Sequence, residues 1–170
     1  MYDYGEYVDP QNLFADGRTG YEVHNDYPNI YHEAAYEVVH EFEQPEEGYA
    51  PEYVYYVRSG YSGSQANTWS VWTGDPYCDF SKHTGLRSQV SAMLAIGLSG
   101  FPFVGSDISG FTWIKPPSLD LWVRWSQVGL LSGTMHTQTG GTSMVGHDKS
   151  HIHDWPEGTF AWRMLAKLRT

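Results

Sequence analysis

Thr68-Trp69-Ser70-Val71-Trp72-Thr73-Gly74-Asp75 is a short β-branched and aromatic run that ends at a glycine and delivers an acid. Such a run reads as a strand, and the glycine lets the backbone turn sharply just past it. The same arrangement recurs on both sides. Residues 52–57 form an aromatic strand ending at Arg58, and residues 101–104 form one ending in Gly105-Ser106-Asp107. Residues 133–137 make another, with His136 and Gln138 at its end, and Met1-Tyr2-Asp3-Tyr4-Gly5-Glu6-Tyr7 begins with a strand-like run that stops at Asp3. Helices are expected between these runs. Asp26-Tyr27-Pro28 opens one through Phe42, Ser81 caps one to about Leu98, Ser118 caps one through Leu131, and residues 160–170 form an amphipathic last helix. Polar loops cover the stretch up to about His24, the acidic connector 44–51 and the long segment before the last helix.

Strands alternating with helices imply parallel β/α units, because parallel strands need a crossover that a helix supplies. Polar residues stand at the end of each strand: Asp3, Arg58, Asp75, Asp107 and His136 to Gln138. In a β/α barrel those positions crowd the C-terminal mouth, where catalytic residues gather. A closed barrel has eight strands, eight helices and typically about 250 residues. The expected fold is therefore α/β, the C-terminal part of an incomplete TIM (β/α)8 barrel. Residues 1–170 then form one partial catalytic domain truncated at both ends. The last helix stops without a glycine cap, and Met1 leads at once into an acidic, aromatic segment rather than a signal peptide.

Composition narrows the function. The chain has 170 residues, 41% apolar and 16% aromatic, which is enough for a core and excludes disorder. With 20 acidic and 10 basic residues the net charge is −10, a surface that repels phosphate backbones, so no nucleic-acid partner is expected. No apolar run is long enough to span a membrane, so no membrane partner is expected either. The 13 Tyr and 7 Trp suit carbohydrate, offering flat apolar faces to sugar rings and polar edges to hydroxyls. Two carboxylates at strand ends, Asp3 and Asp75, match what cleavage of a sugar–sugar bond requires: one attacks the anomeric carbon while the other protonates the departing oxygen.

Asp3-Tyr4-Gly5-Glu6 resembles the nucleophile motif of glycoside hydrolase family 31, the retaining α-glycosidases, and Trp72-Thr73-Gly74-Asp75 resembles its acid/base motif. Arg58-Ser59-Gly60 and Gly105-Ser106-Asp107-Ile108-Ser109-Gly110-Phe111 are similar to neighbouring segments of the family, in the right order and over essentially the whole chain. The Asp-aromatic-Gly-Glu form looks most like bacterial sulfoquinovosidase-type members, with α-glucosidase-like and α-galactosidase-like enzymes as alternatives. The resemblance implies Asp3 as nucleophile and Asp75 as acid/base, without a cofactor. It implies Arg58, Trp72, Asp107, Gln138 and Glu6 as substrate-binding or supporting residues. Gln138 is a departure, since relatives commonly carry histidine there, and His136 falls where many have arginine.

Each of these residues has a plainer role to weigh. Arg58 could be an ion pair holding strand ends, Trp72 could pack in the core, and Asp107 could cap a helix. His147, His151 and His153 lack the spacing and cysteines of a zinc site and read as a solvated rim loop, so no metal is expected. Cys78 reads as packing, and residues 60–63 lack the Lys-Ser or Lys-Thr of a phosphate loop. The alternative to a glycosidase is a non-catalytic carbohydrate-binding fragment, with edge strands that would favour association.

Overall fold

The computed structural model describes residues 1–42, 54–112, 116–137 and 155–169. The chain divides into two compact units, Met1–Val71 and Trp72–Thr170.

The first unit contains helix α1 (Gly20–Val23), helix α2 (Tyr27–Phe42) and strand β1 (Tyr56–Val57). Strand β2 (Ser70–Trp72) begins within it, and a single 3-10 turn spans Ser64–Ala66. β1 runs parallel to β2, with Tyr56 opposite Ser70 and Val57 opposite Val71. Tyr2 N–H adds one ladder-like bond to Tyr56 O at 2.9 Å. The expected strand before Asp3 is thus an extended segment rather than a regular strand. α1 was not expected. Thr19 and Glu22 start it, since Thr19 N–H and Oγ1 both donate to Glu22 Oε2 (2.7 and 2.8 Å), the sequence pattern of a capping box. α2 begins at Tyr27 as Asp26-Tyr27-Pro28 predicts, with Pro28 in the first turn where a missing N–H costs nothing. Val23, Val57 and, unusually, His32 are fully buried here.

The second unit contains helix α3 (Leu86–Leu98), strand β3 (Phe103–Ile108), helix α4 (Leu119–Leu131), strand β4 (Thr134–Thr137) and helix α5 (Pro156–Arg169). β3 and β4 are parallel, in register from Gly105 opposite Thr134 to Ile108 opposite Thr137. That pairing carries β3 through Asp107, beyond the end expected at Val104. Gly105 permits the approach: a Cβ there would lie 2.6 Å from Thr134 O. Just past β2, Thr73 N–H donates to Gly105 O at 3.2 Å. The core joins Ile108 to Leu121, Trp122 and Trp125 of α4 and Leu86 of α3, with Trp155 and Trp162 packed against it. Trp125 Nε1–H donates to Ser106 Oγ at 2.8 Å, which satisfies the indole inside that core.

Two expected boundaries move for local reasons. Ser81 does not cap α3. Its hydroxyl accepts Gly85 N–H (2.9 Å) and Thr84 N–H (3.3 Å), closing a turn, so the helix starts one turn later with Gly85 as N-cap. α5 starts at Pro156, earlier than residue 160, because proline suits a first turn and Glu157 complements the N-terminal dipole. Ser118 caps α4 as expected, accepting Leu121 N–H at 3.2 Å.

α5 is tied to α4 at its far end. The Arg169 guanidinium donates to four carbonyl oxygens at the end of α4 and just beyond: Gly129, Leu130, Ser132 and Gly133, at 2.8–3.2 Å. The last carbonyls of a helix lack the full set of intrahelical donors, Gly129 O being also met by Ser132 N–H and Oγ–H, and a cation there complements the helix dipole. Replacing Arg169 with alanine is expected to lower unfolding free energy by about 1–2 kcal/mol. Lysine should recover only part of it, since a point charge cannot span four acceptors. Thermal unfolding of the three proteins checks this, and equal midpoints would contradict it.

Candidate active site

In the first unit, β1 ends where Arg58 begins a clamp on residues 3–6. Arg58 Nη1 lies 3.1 Å from Asp3 Oδ1, while Nε and Nη2 both reach Glu6 Oε1 at 2.7 and 2.6 Å. One guanidinium therefore holds two carboxylates at once, which its planar fork allows and an ammonium would not. Burial alone would weaken the Arg58 charge. The Glu6 hydrogen bond and charge, and then the Asp3 charge, outweigh that and hold its pKa above the ordinary value. The rings of Tyr4 and Tyr7 cover the guanidinium, with its carbon 4.5 and 5.5 Å from their centroids. Both tyrosines remain largely exposed.

The turn that presents Asp3 is strained. Tyr4 (φ 70°) and Gly5 (φ 91°) are consecutive left-handed residues, and for tyrosine that conformation is unfavourable. Tyr4 N–H folds back onto Asp3 Oδ1 at 2.8 Å, Tyr31 Oη–H donates to Asp3 O at 2.9 Å, and Ser59 Oγ–H donates to Tyr4 O at 2.7 Å. Gly5 cannot be replaced quietly, because a Cβ there would sit 2.5 Å from Ser59 Oγ and 2.8 Å from Tyr31 Cδ1.

In the second unit, Asp107 lies inside β3, 1% exposed, and its Oδ1 is 2.7 Å from His136 Nε2 on β4. The helix-cap role is corrected: the next helix is capped by Ser118, and Asp107 is buried beside a strand neighbour. Asp107 O also accepts Gly110 N–H at 2.8 Å, closing a turn that puts Ser109 at φ 77° and Gly110 at φ 89°. That turn straps down the segment carrying Asp75. Phe111 N–H and Thr112 N–H donate to Pro76 O, and Cys78 N–H donates to Thr112 O. Gly110 fits because a Cβ would lie 2.9 Å from Cys78 backbone atoms. Asp75 itself is exposed on this strapped loop. Trp72, at the end of β2, is 2% exposed, so of its two readings packing is the one its burial meets. Cys78 packs against the Ile108 and Trp122 core; burial first, then the Asp79 and Asp107 charges, push its thiol up to about 12. Gln138 and the histidines at 147, 151 and 153 lie outside the described residues. Among the described residues no cluster of His, Cys, Asp or Glu could hold a metal ion, and no helix is long and apolar enough to cross a membrane.

The structure therefore groups Asp3, Glu6 and Arg58 in one unit and Asp107 and His136 in the other. Sequence reasoning missed the Asp107–His136 pair and the hydroxyls behind the Asp3 turn. The register of β3 on β4 is the signal for the first; it became readable only once both strands were placed.

Parallel β/α units with polar side chains at or near the strand ends are the architecture of a β/α-barrel wall. Residues 2–169 match the model of the glycosyl hydrolases family 31 TIM-barrel domain, and the chain belongs to that family. It is 30% identical over 142 residues to a sulfoquinovosidase of Agrobacterium fabrum, covering 82% of this chain and 21% of that protein. An Escherichia coli sulfoquinovosidase is likewise 30% identical, with 82% of this chain and 20% of that protein covered. Among solved structures, a family 31 sulfoquinovosidase from E. rectale, in complex with an aza-sugar inhibitor, superposes with a TM-score of 0.83 at 26% identity. That match covers 98% of this chain and 24% of the other. The chain thus spans about a fifth to a quarter of the length of these relatives.

Gly5→Ala is expected to cost at least about 2 kcal/mol, since the left-handed backbone conformation alone costs about 1–2 kcal/mol for a residue with a Cβ, before the two collisions are added. Denaturant unfolding of the variant checks this; a loss below 0.5 kcal/mol, on the order of an ordinary surface change, would contradict it.

Proposed function

We propose that this chain supplies the catalytic carboxylates of a retaining α-glycosidase. The clamp of Arg58 on Asp3 is the observation that carries the reading, because it holds one strand-end carboxylate in a fixed place beside exposed tyrosines. In the proposed reaction an Asp3 oxygen attacks the anomeric carbon as the bond to the leaving oxygen breaks. The carboxyl proton of Asp75 passes to that oxygen. Water then loses a proton to the Asp75 carboxylate and attacks the same carbon, and the Asp3 ester is released as carboxylate. Two inversions give net retention, which needs the two carboxyl groups about 5–5.5 Å apart across one cleft.

Arg58 and Asp107 bind sugar hydroxyls in this reading, Asp107 with its orientation set by His136. Glu6 takes the remaining Arg58 donors and keeps the guanidinium aimed. Gln138 donates to and accepts from a hydroxyl. The sulfoquinovosidase relatives favour an α-linked sugar bearing an anionic group, with neutral α-glucosides second. The residues of the family's barrel absent from this chain complete the pocket, and the chain alone is then very weak or inactive. Positioning is worth roughly 7–11 kcal/mol in such reactions, and half a wall does not provide it.

Aryl α-glycosides, an α-sulfoquinovoside included, should be hydrolysed by the protein with its complete barrel, with the α-anomer as first product by proton NMR. The isolated 170 residues should give little or no turnover. A β-anomer as first product would overturn the mechanism, and equal turnover by the isolated chain would overturn the argument from missing walls.

A further inference from the structure

Behind the Asp3 turn lies a hydrogen-bond chain that runs inward to the buried His32 and Thr68. Ser59 Oγ is 2.7 Å from Tyr4 O, 3.3 Å from His32 Nε2, and 8% exposed as a residue. A serine hydroxyl has a single hydrogen. Tyr4 O can only accept, so that hydrogen goes to it, and Ser59 Oγ accepts from His32 Nε2–H. The other ring nitrogen, Nδ1, is 3.2 Å from Thr68 Oγ1 and accepts its hydroxyl hydrogen. The donor count along the chain therefore puts the proton of a neutral ring on Nε2. Burial agrees, since His32 is 0% exposed and desolvation pushes its pKa down to about 4. The ring is walled by Tyr2 and Tyr31, with centroids 6.4 and 6.0 Å away. Tyr55 Oη lies 3.4 Å from the His32 backbone oxygen and gives its hydrogen to Asn67 O.

We propose that His32 is a positioning residue for Asp3: acting through Ser59, its ring holds the Tyr4–Gly5 turn in the left-handed conformation that presents the Asp3 carboxylate to Arg58. The inference rests on the reading of Asp3 as nucleophile. It explains how a strained turn persists. Adjacent residues after β1 grip it at successive points, with Arg58 on the Asp3 and Glu6 carboxylates and Ser59 on the Tyr4 carbonyl between them. Without the second grip the Tyr4 carbonyl is unheld, and relaxation of the strained turn would shift the Asp3 carboxylate. His32 touches neither carboxylate, so its effect belongs in the chemical step rather than in sugar binding.

The test uses the protein with its complete barrel and an aryl α-glycoside whose glycosylation step limits turnover. His32→Phe fills the space but donates nothing, His32→Gln offers an N–H donor, and Ser59→Ala removes the link. His32→Phe and Ser59→Ala should each lower kcat by about 10- to 100-fold with KM little changed, the scale expected when a reacting group is displaced by a fraction of an ångström to an ångström. The double variant should be no worse than His32→Phe alone, because the two residues act as one relay. His32→Gln should recover part of kcat. In wild type, nitrogen-15 NMR should show the Nε2–H tautomer of His32, a readout that needs no variant to fold. Losses that multiply in the double variant, an unchanged kcat, no recovery by glutamine, or an Nδ1–H tautomer would each overturn the relay. A wild-type protein without α-glycosidase turnover would overturn the functional reading and this inference with it; an active one with insensitive variants would overturn the relay alone.

Discussion

A single guanidinium holds the first unit's functional end together. Arg58 joins Asp3 and Glu6, more than fifty residues away in sequence, to the end of β1. The arrangement is costly if broken, because removing the cation leaves two partly desolvated carboxylates a few ångströms apart. It also explains the surroundings. Tyr4 and Tyr7 shield the guanidinium, and Gly5 is needed so that the turn between the two acids can pass close to Ser59 and Tyr31. The strain at Tyr4 is the local consequence of placing two acids three residues apart on one arginine.

The second unit solves a similar problem with different groups. Asp107 is almost fully buried and its carboxylate meets a histidine on the neighbouring strand. Its following turn again holds two left-handed residues, Ser109 and Gly110, and that turn anchors the segment after Asp75. Strand ends are thus converted into fixed side-chain positions in both units by a tight turn and a cross-strand or cross-segment bond. In the second unit the core of Ile108, Trp122 and Trp125 lies directly before the Ser109–Gly110 turn and supports it.

Much of this was legible in the sequence, and the reasons differ by element. The alternation of short apolar runs with capped helices announced parallel β/α units, and Ser118 and Pro28 acted as their chemistry predicts. Ser81 misled because a capping hydroxyl can close a turn as readily as a helix, and Asp79 with Gly85 decided for the turn. Asp3 and Arg58 were legible as strand-end polar residues and an Arg58 ion pair between strand ends was expected as one reading, but which oxygens it grips was not, since that depends on a chain reversal no local pattern encodes. His32 was invisible. On helix α2 it looks like any polar residue, and only its burial between two hydroxyls distinguishes it.

The central claim is that Asp3, held by Arg58, is the carboxylate that bonds to sugar. Trapping the protein, with its complete barrel, with a 2-deoxy-2-fluoro or cyclophellitol-type α-glycoside and locating the adduct by peptide mass spectrometry tests it most directly. The account predicts one covalent adduct on Asp3, lost in Asp3→Asn. An adduct on any other carboxylate, Glu6 or Asp107 included, would contradict it.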